Sequence, residues 1–233
     1  MSKGLAKRTA RIVTRIQKKL YPSPKVAQVI TNQFHKLYYY SRGTWKNTSW
    51  LGTPLCKCPL DLWIYQEIIH EVKPDVIIEC GTFQGGSAFF FACVCELVGK
   101  GRVLTIDIKE YEQRPRHERV TYLVGSSTSR EIVGKVGDLI KEDEKVMAVL
   151  DSDHAMHHVL NEMRIYGEFV TPGSYLIVED TNINGHPVRP QYEPGPMEAV
   201  RIFLKENKAF VIDMDQEKFY LTFNPNGYLK RIT

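Results

Sequence analysis

The first 60 residues contain no aspartate and no glutamate, although they carry 12 lysines and arginines. The remainder holds 19 basic and 27 acidic residues, a formal −8 concealed within an overall charge of +4. Such a split marks two regions with different tasks. No apolar run reaches the roughly 20 residues that a bilayer span requires. The N-terminus also lacks the apolar stretch of a secretory signal, so the sequon Asn47-Thr48-Ser49 has no expected role. The five cysteines are odd in number. Cys56-x-Cys58 lacks the second pair or neighbouring histidine that would complete a metal site, and Cys80, Cys93 and Cys95 fall in apolar stretches. Buried free thiols in a reducing compartment follow, hence a cytoplasmic protein or one peripheral to the inner face of a membrane. None of the seven histidines has an acid two residues on, so the two-His-one-carboxylate triad of an Fe(II) oxygenase has no obvious place.

What is present divides the 233 residues into three expected units: a basic amphipathic helix (1–24), an aromatic-rich segment (25–60) and an α/β domain (61–233). Over 3–20, Leu5, Ile12, Val13, Ile16 and Leu20 can share one face, with Lys7, Arg8, Arg11, Arg15, Lys18 and Lys19 around it, and Tyr21-Pro22-Ser23-Pro24 ends the helix. That pattern suits packing on a neighbouring subunit or peripheral membrane contact through residues 1–20. No stacking aromatics interleave with its charges, which argues against nucleic acid. Phe34 to Trp50 includes Tyr38-Tyr39-Tyr40 and Trp45 among glycines and polar residues. The segment reads as irregular, either packed on the domain or covering a pocket.

From Asp61 onward helix and strand patterns alternate. A helix over 62–72 precedes strands at 76–80, 103–107, 121–124, 146–150, 175–179, 209–213 and 218–223. Helices are expected at 85–98, 128–141, 155–170 and 196–207. Only Met214 to Glu217 separates the last two strands, which predicts a closing β-hairpin.

The densest signal is Val76-Ile77-Ile78-Glu79-Cys80-Gly81-Thr82-Phe83-Gln84-Gly85-Gly86-Ser87, a strand, a glycine loop and a helix start. The next strand ends in Asp107, suited to accepting from both hydroxyls of a ribose. Together they suggest a nucleotide-type ligand across parallel strand ends. The dinucleotide fingerprint G-x-G-x-x-G is not met, because Phe83 stands where its second glycine would let a pyrophosphate approach. The acid Glu79 favours a cationic ligand, an amino group or a sulfonium, over phosphates. The pattern resembles motif I of the class I S-adenosylmethionine-dependent methyltransferases. The resemblance implies a Rossmann-like seven-stranded fold, with a basic helical and aromatic N-terminal extension.

Two more strand ends carry acids, Asp151-Ser152-Asp153-His154 and Glu179-Asp180-Thr181-Asn182. Parallel strands bring Asp151, Glu179 and Asp180 to one edge. Three converging carboxylates need protonation or a cation, and an all-oxygen set suits Mg²⁺ or Ca²⁺. His154 could take a proton from a substrate hydroxyl there, or serve as a helix cap or support for the metal site.

These motifs, with Ser49-Trp50-Leu51-Gly52 and Asp61-Leu62-Trp63, resemble the cephalosporin hydroxylase (CmcI-like) family, which includes rhamnosyl O-methyltransferases. The resemblance covers about residues 45–225. It implies S-adenosylmethionine and Mg²⁺ as cofactors, with Asp151, Glu179 and Asp180 on the metal. It implies Glu79, Gly81, Ser87 and Asp107 on the cofactor, joined in our expectation by Thr82, Phe83, Gly85, Gly86, Ser126 and Asp151. His154 and Asp151 are the expected catalytic pair. The expected activity is Mg²⁺-dependent O-methylation of a hydroxyl on a sugar, glycolipid or natural product, by a homo-oligomer. Arg189, Tyr192 and loop 184–196 lie where a lid over the acceptor would be. A nicotinamide-dependent oxidoreductase and a non-catalytic membrane-associated binding protein are the alternatives.

Overall fold

The computed structural model describes residues 21–233, so the helix expected over 3–20 lies outside the described residues. Helix α1 (Pro24–Tyr40) begins at Pro24, with the Ser23 side chain accepting from Val26 N. A 3₁₀ turn (Trp45–Asn47) and the two-residue strands β1 (Ser49–Trp50) and β2 (Thr53–Pro54) follow, then α2 (Pro59–Val72), β3 (Val76–Cys80) and α3 (Gly86–Val98). Next come β4 (Arg102–Asp107), β5 (Val120–Val124), α4 (Arg130–Asp138), β6 (Val146–Leu150), α5 (Met156–Phe169) and β7 (Tyr175–Val178). The described chain closes with α6 (Pro196–Glu206), β8 (Phe210–Ile212), a second 3₁₀ turn (Met214–Glu217) and β9 (Tyr228–Arg231).

Seven strands form one sheet in the order β5-β4-β3-β6-β7-β9-β8. The pairs β5/β4, β4/β3, β3/β6 and β6/β7 are parallel, while β9 runs antiparallel to both β7 and β8. Successive side chains of a strand point to opposite faces, and here both faces are covered. Ile78, Cys80, Leu104, Ile106, Ala148 and Leu150 pack with α4, α5 and α6. Ile77, Val103, Met147, Val149, Tyr175 and Ile177 pack with α2 and α3. That explains the continuous β-branched runs in the sequence. Strand order reverses between β3, with β4 on one side, and β6 on the other, which opens a crevice at the C-terminal edge.

Two expectations need correction. Residues 218–223 are not a strand; the partner of β8 is β9, at 228–231. The alternating apolar residues Leu221 and Phe223 pack in a separate cluster with Tyr38, Tyr39, Trp45 and Cys58. Backbone there is satisfied by a side chain instead of a ladder. The buried Asp61 carboxylate accepts from Thr222 Oγ1 (2.5 Å), Phe223 N (2.9 Å) and Tyr228 Oη (2.9 Å). Burial, against those three donors, raises the Asp61 pKa to about 6.

Secondly, Phe34 to Tyr40 is not irregular but the C-terminal half of α1. Its aromatic run is divided by helical geometry. Tyr38 and Tyr39 turn inward onto Phe223, whereas Tyr40 is exposed and its Oη accepts from Arg189 N. Val26, Val29, Ile30, Phe34, Leu37 and Tyr40 are each half or more exposed. They recur at helical spacing, so α1 presents an apolar stripe outward.

Candidate active site

Gly81 follows β3 directly, at φ +103°. A Cβ there would lie 1.8 Å from the Asp151 carbonyl oxygen, so only glycine lets the loop cross the end of β6. At the start of α3, a Cβ on Gly86 would meet the Pro54 carbonyl oxygen at 2.1 Å. The N-terminal segment is therefore pressed against the loop by backbone alone. Phe83 takes φ +46° and donates its N–H to Asp107 Oδ2 at 2.7 Å. Lys109 N holds Asp107 Oδ1 at 2.9 Å, and Arg114 Nε reaches back to Phe83 O at 2.9 Å. The acid at the tip of β4 thus fixes the shape of the loop as well as facing the cleft.

That cleft has a volume of about 570 Å³ and lies along the C-terminal edge of the sheet. Of the residues expected from sequence, Gly81, Thr82, Phe83, Gly86, Ser87, Asp107, Ser126, Asp151, His154 and Asp180 line it. Glu79, Gly85 and Glu179 do not. Glu79 is fully buried under the loop, where Thr105 Oγ1 donates to its Oε2 at 2.5 Å and meets Thr82 Oγ1 at 2.6 Å. Its Oε1 finds no partner among the described residues. Burial, opposed by Lys57, raises its pKa to about 7. Gly85 instead caps α3 in the left-handed conformation.

Asp151, His154 and Asp180 offer ligand atoms that all lie within 4.8 Å of one another. Asp180 stands at φ +54° after β7, its N–H given to Asn224 Oδ1. Its Oδ2 is 3.2 Å from His154 Nε2. Glu179 faces the other way, into the protein, and meets a residue that sequence reasoning missed. Lys57 Nζ donates to Asp151 Oδ2 at 2.6 Å and to both Glu179 oxygens at 2.7 Å. Burial alone would discharge Lys57; the Asp151 and Glu179 carboxylates outweigh it and hold the ammonium charged. The donor set fits a divalent cation. Three carboxylates against one ammonium leave a deficit of two positive charges, and the atoms facing the cleft are hard carboxylate oxygens, with one imidazole beside them.

Glu162 also escaped the sequence reading, whereas Tyr39, Trp45, Arg189 and loop 184–196 did not. Glu162 of α5, fully buried, accepts from Ser127 Oγ (2.5 Å) and Ser152 Oγ (2.6 Å), and its Oε1 lies 3.2 Å from His158 Nε2. It braces the wall where Ser126 and Ser127 stand. Tyr39 and Trp45 stack at 5.3 Å and line the opposite side with Arg189. The Arg189 guanidinium lies over the Tyr192 ring at 4.7 Å. Loop 184–196 is tied down by Val188 N to Asn182 O (3.1 Å) and by Met156 N to Pro194 O (2.9 Å). One signal for Lys57 was legible: it is the only charge between Lys46 and Asp61.

Helices on both faces of a sheet of this order, with a cleft across its C-terminal edge, define a class I methyltransferase fold. Solved structures share it. A CmcI structure with Mg and SAM is 20% identical, with a TM-score of 0.63, over 81% of this chain and 78% of that one. An O-methyltransferase from Bacillus cereus in complex with SAH is 14% identical, with a TM-score of 0.52, over 86% and 88%. Among relatives by sequence, a rhamnosyl O-methyltransferase of Mycobacterium bovis is 39% identical over 228 residues, 95% of this chain and 92% of that one. One from Mycobacterium leprae is 39% identical over 208 residues, 87% and 90% of the two chains. Residues 42–232 match the family described as rhamnosyl O-methyltransferase/CmcI. The chain belongs to that family and is an O-methyltransferase.

Proposed function

We propose that this protein transfers a methyl group from S-adenosylmethionine to a hydroxyl of a sugar, glycolipid or natural product, with Mg²⁺ in the site. The observation that carries the reading is the meeting of Asp151, His154 and Asp180 in the same cleft as the Gly81–Gly86 loop and Asp107. When bound, S-adenosylmethionine supplies the methyl group and Mg²⁺ lowers the pKa of the acceptor hydroxyl. Gly81, Thr82, Phe83, Gly86 and Ser87 shape the wall against the donor, with Gly85 setting the turn. Asp107 holds its ribose, Ser126 lies towards its base, and Glu79 acts from beneath the loop through Thr105 and Thr82. Asp151 and Asp180 supply oxygens to the ion, with Glu179 behind them. His154 takes the hydroxyl proton on its imidazole, oriented by Asp180. Positioning of the two reactants is the main contribution of the fold. Tyr39, Trp45 and Arg189 form the acceptor side, the aromatic faces suited to the C–H surface of a sugar ring.

Residues 25–60 form a cap within the catalytic unit in this reading, because they deliver Lys57 and seal the loop at Gly86. Residues 61–233 carry the cofactor fold. No helix among the described residues is long and apolar enough to cross a membrane. The acid-free N-terminal region and the outward stripe of α1 support peripheral attachment to an anionic membrane surface. The protein should sediment with anionic vesicles and not with neutral ones, and Leu37→Glu should weaken that binding. A change of mass in solution with no vesicle binding would assign the stripe to a homo-oligomer instead.

Titration calorimetry of S-adenosylhomocysteine, beside NAD and with or without Mg²⁺, tests the donor. Binding of the homocysteine compound alone is expected. Preference for NAD, or binding of neither, overturns the proposal.

A further inference from the structure

Lys57 is 4% exposed, and its ammonium has three protons to give. All three are accounted for by Asp151 Oδ2 and the two Glu179 oxygens, at 2.6–2.7 Å. The backbone behind it is equally fixed. Thr48 Oγ1 accepts from Lys57 N at 3.1 Å and donates to Trp45 O at 2.7 Å. Leu55 N bonds Thr48 O at 2.9 Å, and Pro59 starts α2 two residues on. Taking an ammonium out of water is costly unless good partners meet it. A chain that needed only to fill this space could have used leucine or methionine. What Lys57 does, and an apolar residue would not, is bind two carboxylates from two different strands, Asp151 after β6 and Glu179 after β7.

The geometry assigns Lys57 as a positioning residue for the divalent-cation site, a role that rests on the metal reading given above. It draws Glu179 inward with both oxygens engaged. It fixes the rotamer of Asp151 through Oδ2, within the cluster that Asp151 forms with His154 and Asp180. It also offsets one of the three negative charges, which otherwise would push the carboxylates apart before an ion arrived. The ion then meets a set of donors already in place. Partners that orient ligands in this way are commonly worth 10- to 100-fold in metal affinity.

Two effects of Lys57 on an incoming Mg²⁺ oppose each other, and their balance decides the matter. As a bare positive charge it repels the ion, so removing it would tighten binding. As a positioning group it prepares the donors, so removing it would weaken binding. Mg²⁺ is titrated calorimetrically into the complex with S-adenosylhomocysteine, for the parent chain and for Lys57→Met. The expected result is a roughly 10- to 100-fold weaker Mg²⁺ affinity in Lys57→Met, with S-adenosylhomocysteine still bound. Equal or tighter Mg²⁺ binding overturns the role. Should Lys57→Met fail to bind S-adenosylhomocysteine, Lys57→Arg carries the test. It keeps the charge and alters the geometry, so a loss of affinity of about tenfold or more supports positioning, and parental affinity overturns it. If the parent chain itself takes up no Mg²⁺ in this complex, the metal reading has failed, a result distinct from failure of Lys57.

Discussion

Asp151→Ala is expected to slow methyl transfer by about 10³-fold or more while leaving S-adenosylhomocysteine bound. The residue serves two partners at once. One oxygen receives Lys57, and its carboxylate is also one corner of the cluster with His154 and Asp180. In the proposed mechanism truncation removes a ligand of the ion, and it leaves the Lys57 ammonium with Glu179 alone. A bound cation stabilises developing negative charge by several kcal/mol, and each 1.36 kcal/mol is a factor of ten in rate. Asp151→Asn keeps the volume and a hydrogen-bond acceptor, so a comparable loss there would assign the effect to charge. Single-turnover transfer to a sugar acceptor, with and without EDTA, is the measurement. Parental activity in the alanine variant, or transfer insensitive to EDTA, would remove the metal from the mechanism.

The second large effect is expected at His154. His154→Ala should reduce turnover by roughly 10²–10⁴-fold, the usual worth of a general base. The imidazole is well placed for it. Asp153 Oδ1 accepts from Ala155 N at 2.7 Å, which fixes the turn into α5. The ring then reaches Asp180 Oδ2 at 3.2 Å. Its side chain stays about a quarter exposed on the cleft side, so an acceptor can approach it. Affinities for S-adenosylhomocysteine and Mg²⁺ should change little, which separates proton removal from assembly of the site. A near-parental turnover would reduce His154 to a support for Asp180.

Much of this was legible in the sequence, for reasons that can be named. The runs 76–80, 103–107, 146–150 and 175–179 are buried on both faces, so their β-branched content survives as an unbroken signal. The structure returns these strands within a residue of expectation. Gly81 announced itself because the chain has no other residue for a backbone pressed on the Asp151 carbonyl. The misread strand at 218–223 shows the limit of periodicity. Leu221 and Phe223 alternate as a strand would, yet what they bury against is α1 and Trp45, which local pattern cannot reveal. Glu79 shows another limit. Its place near a strand end suggested a ligand-facing acid, but the pleat turns it under the loop, one residue short of the edge. Lys57 shows a third limit: it is the only charge between Lys46 and Asp61, but its partners are 94 and 122 residues away and nothing around position 57 names them.

The three bonds received by Asp61 have a consequence on the ribosome. Their donors stand 161, 162 and 167 residues later in the chain. At roughly 5–20 residues per second, α2 emerges about 8–30 s before residues 222–228 exist to receive its acid. Throughout that interval the carboxylate at the head of α2 lacks all three of these donors and is left to water. The nascent protein therefore has a long window with α2 already synthesised and the aromatic cluster still open, when a holding chaperone would have most to cover.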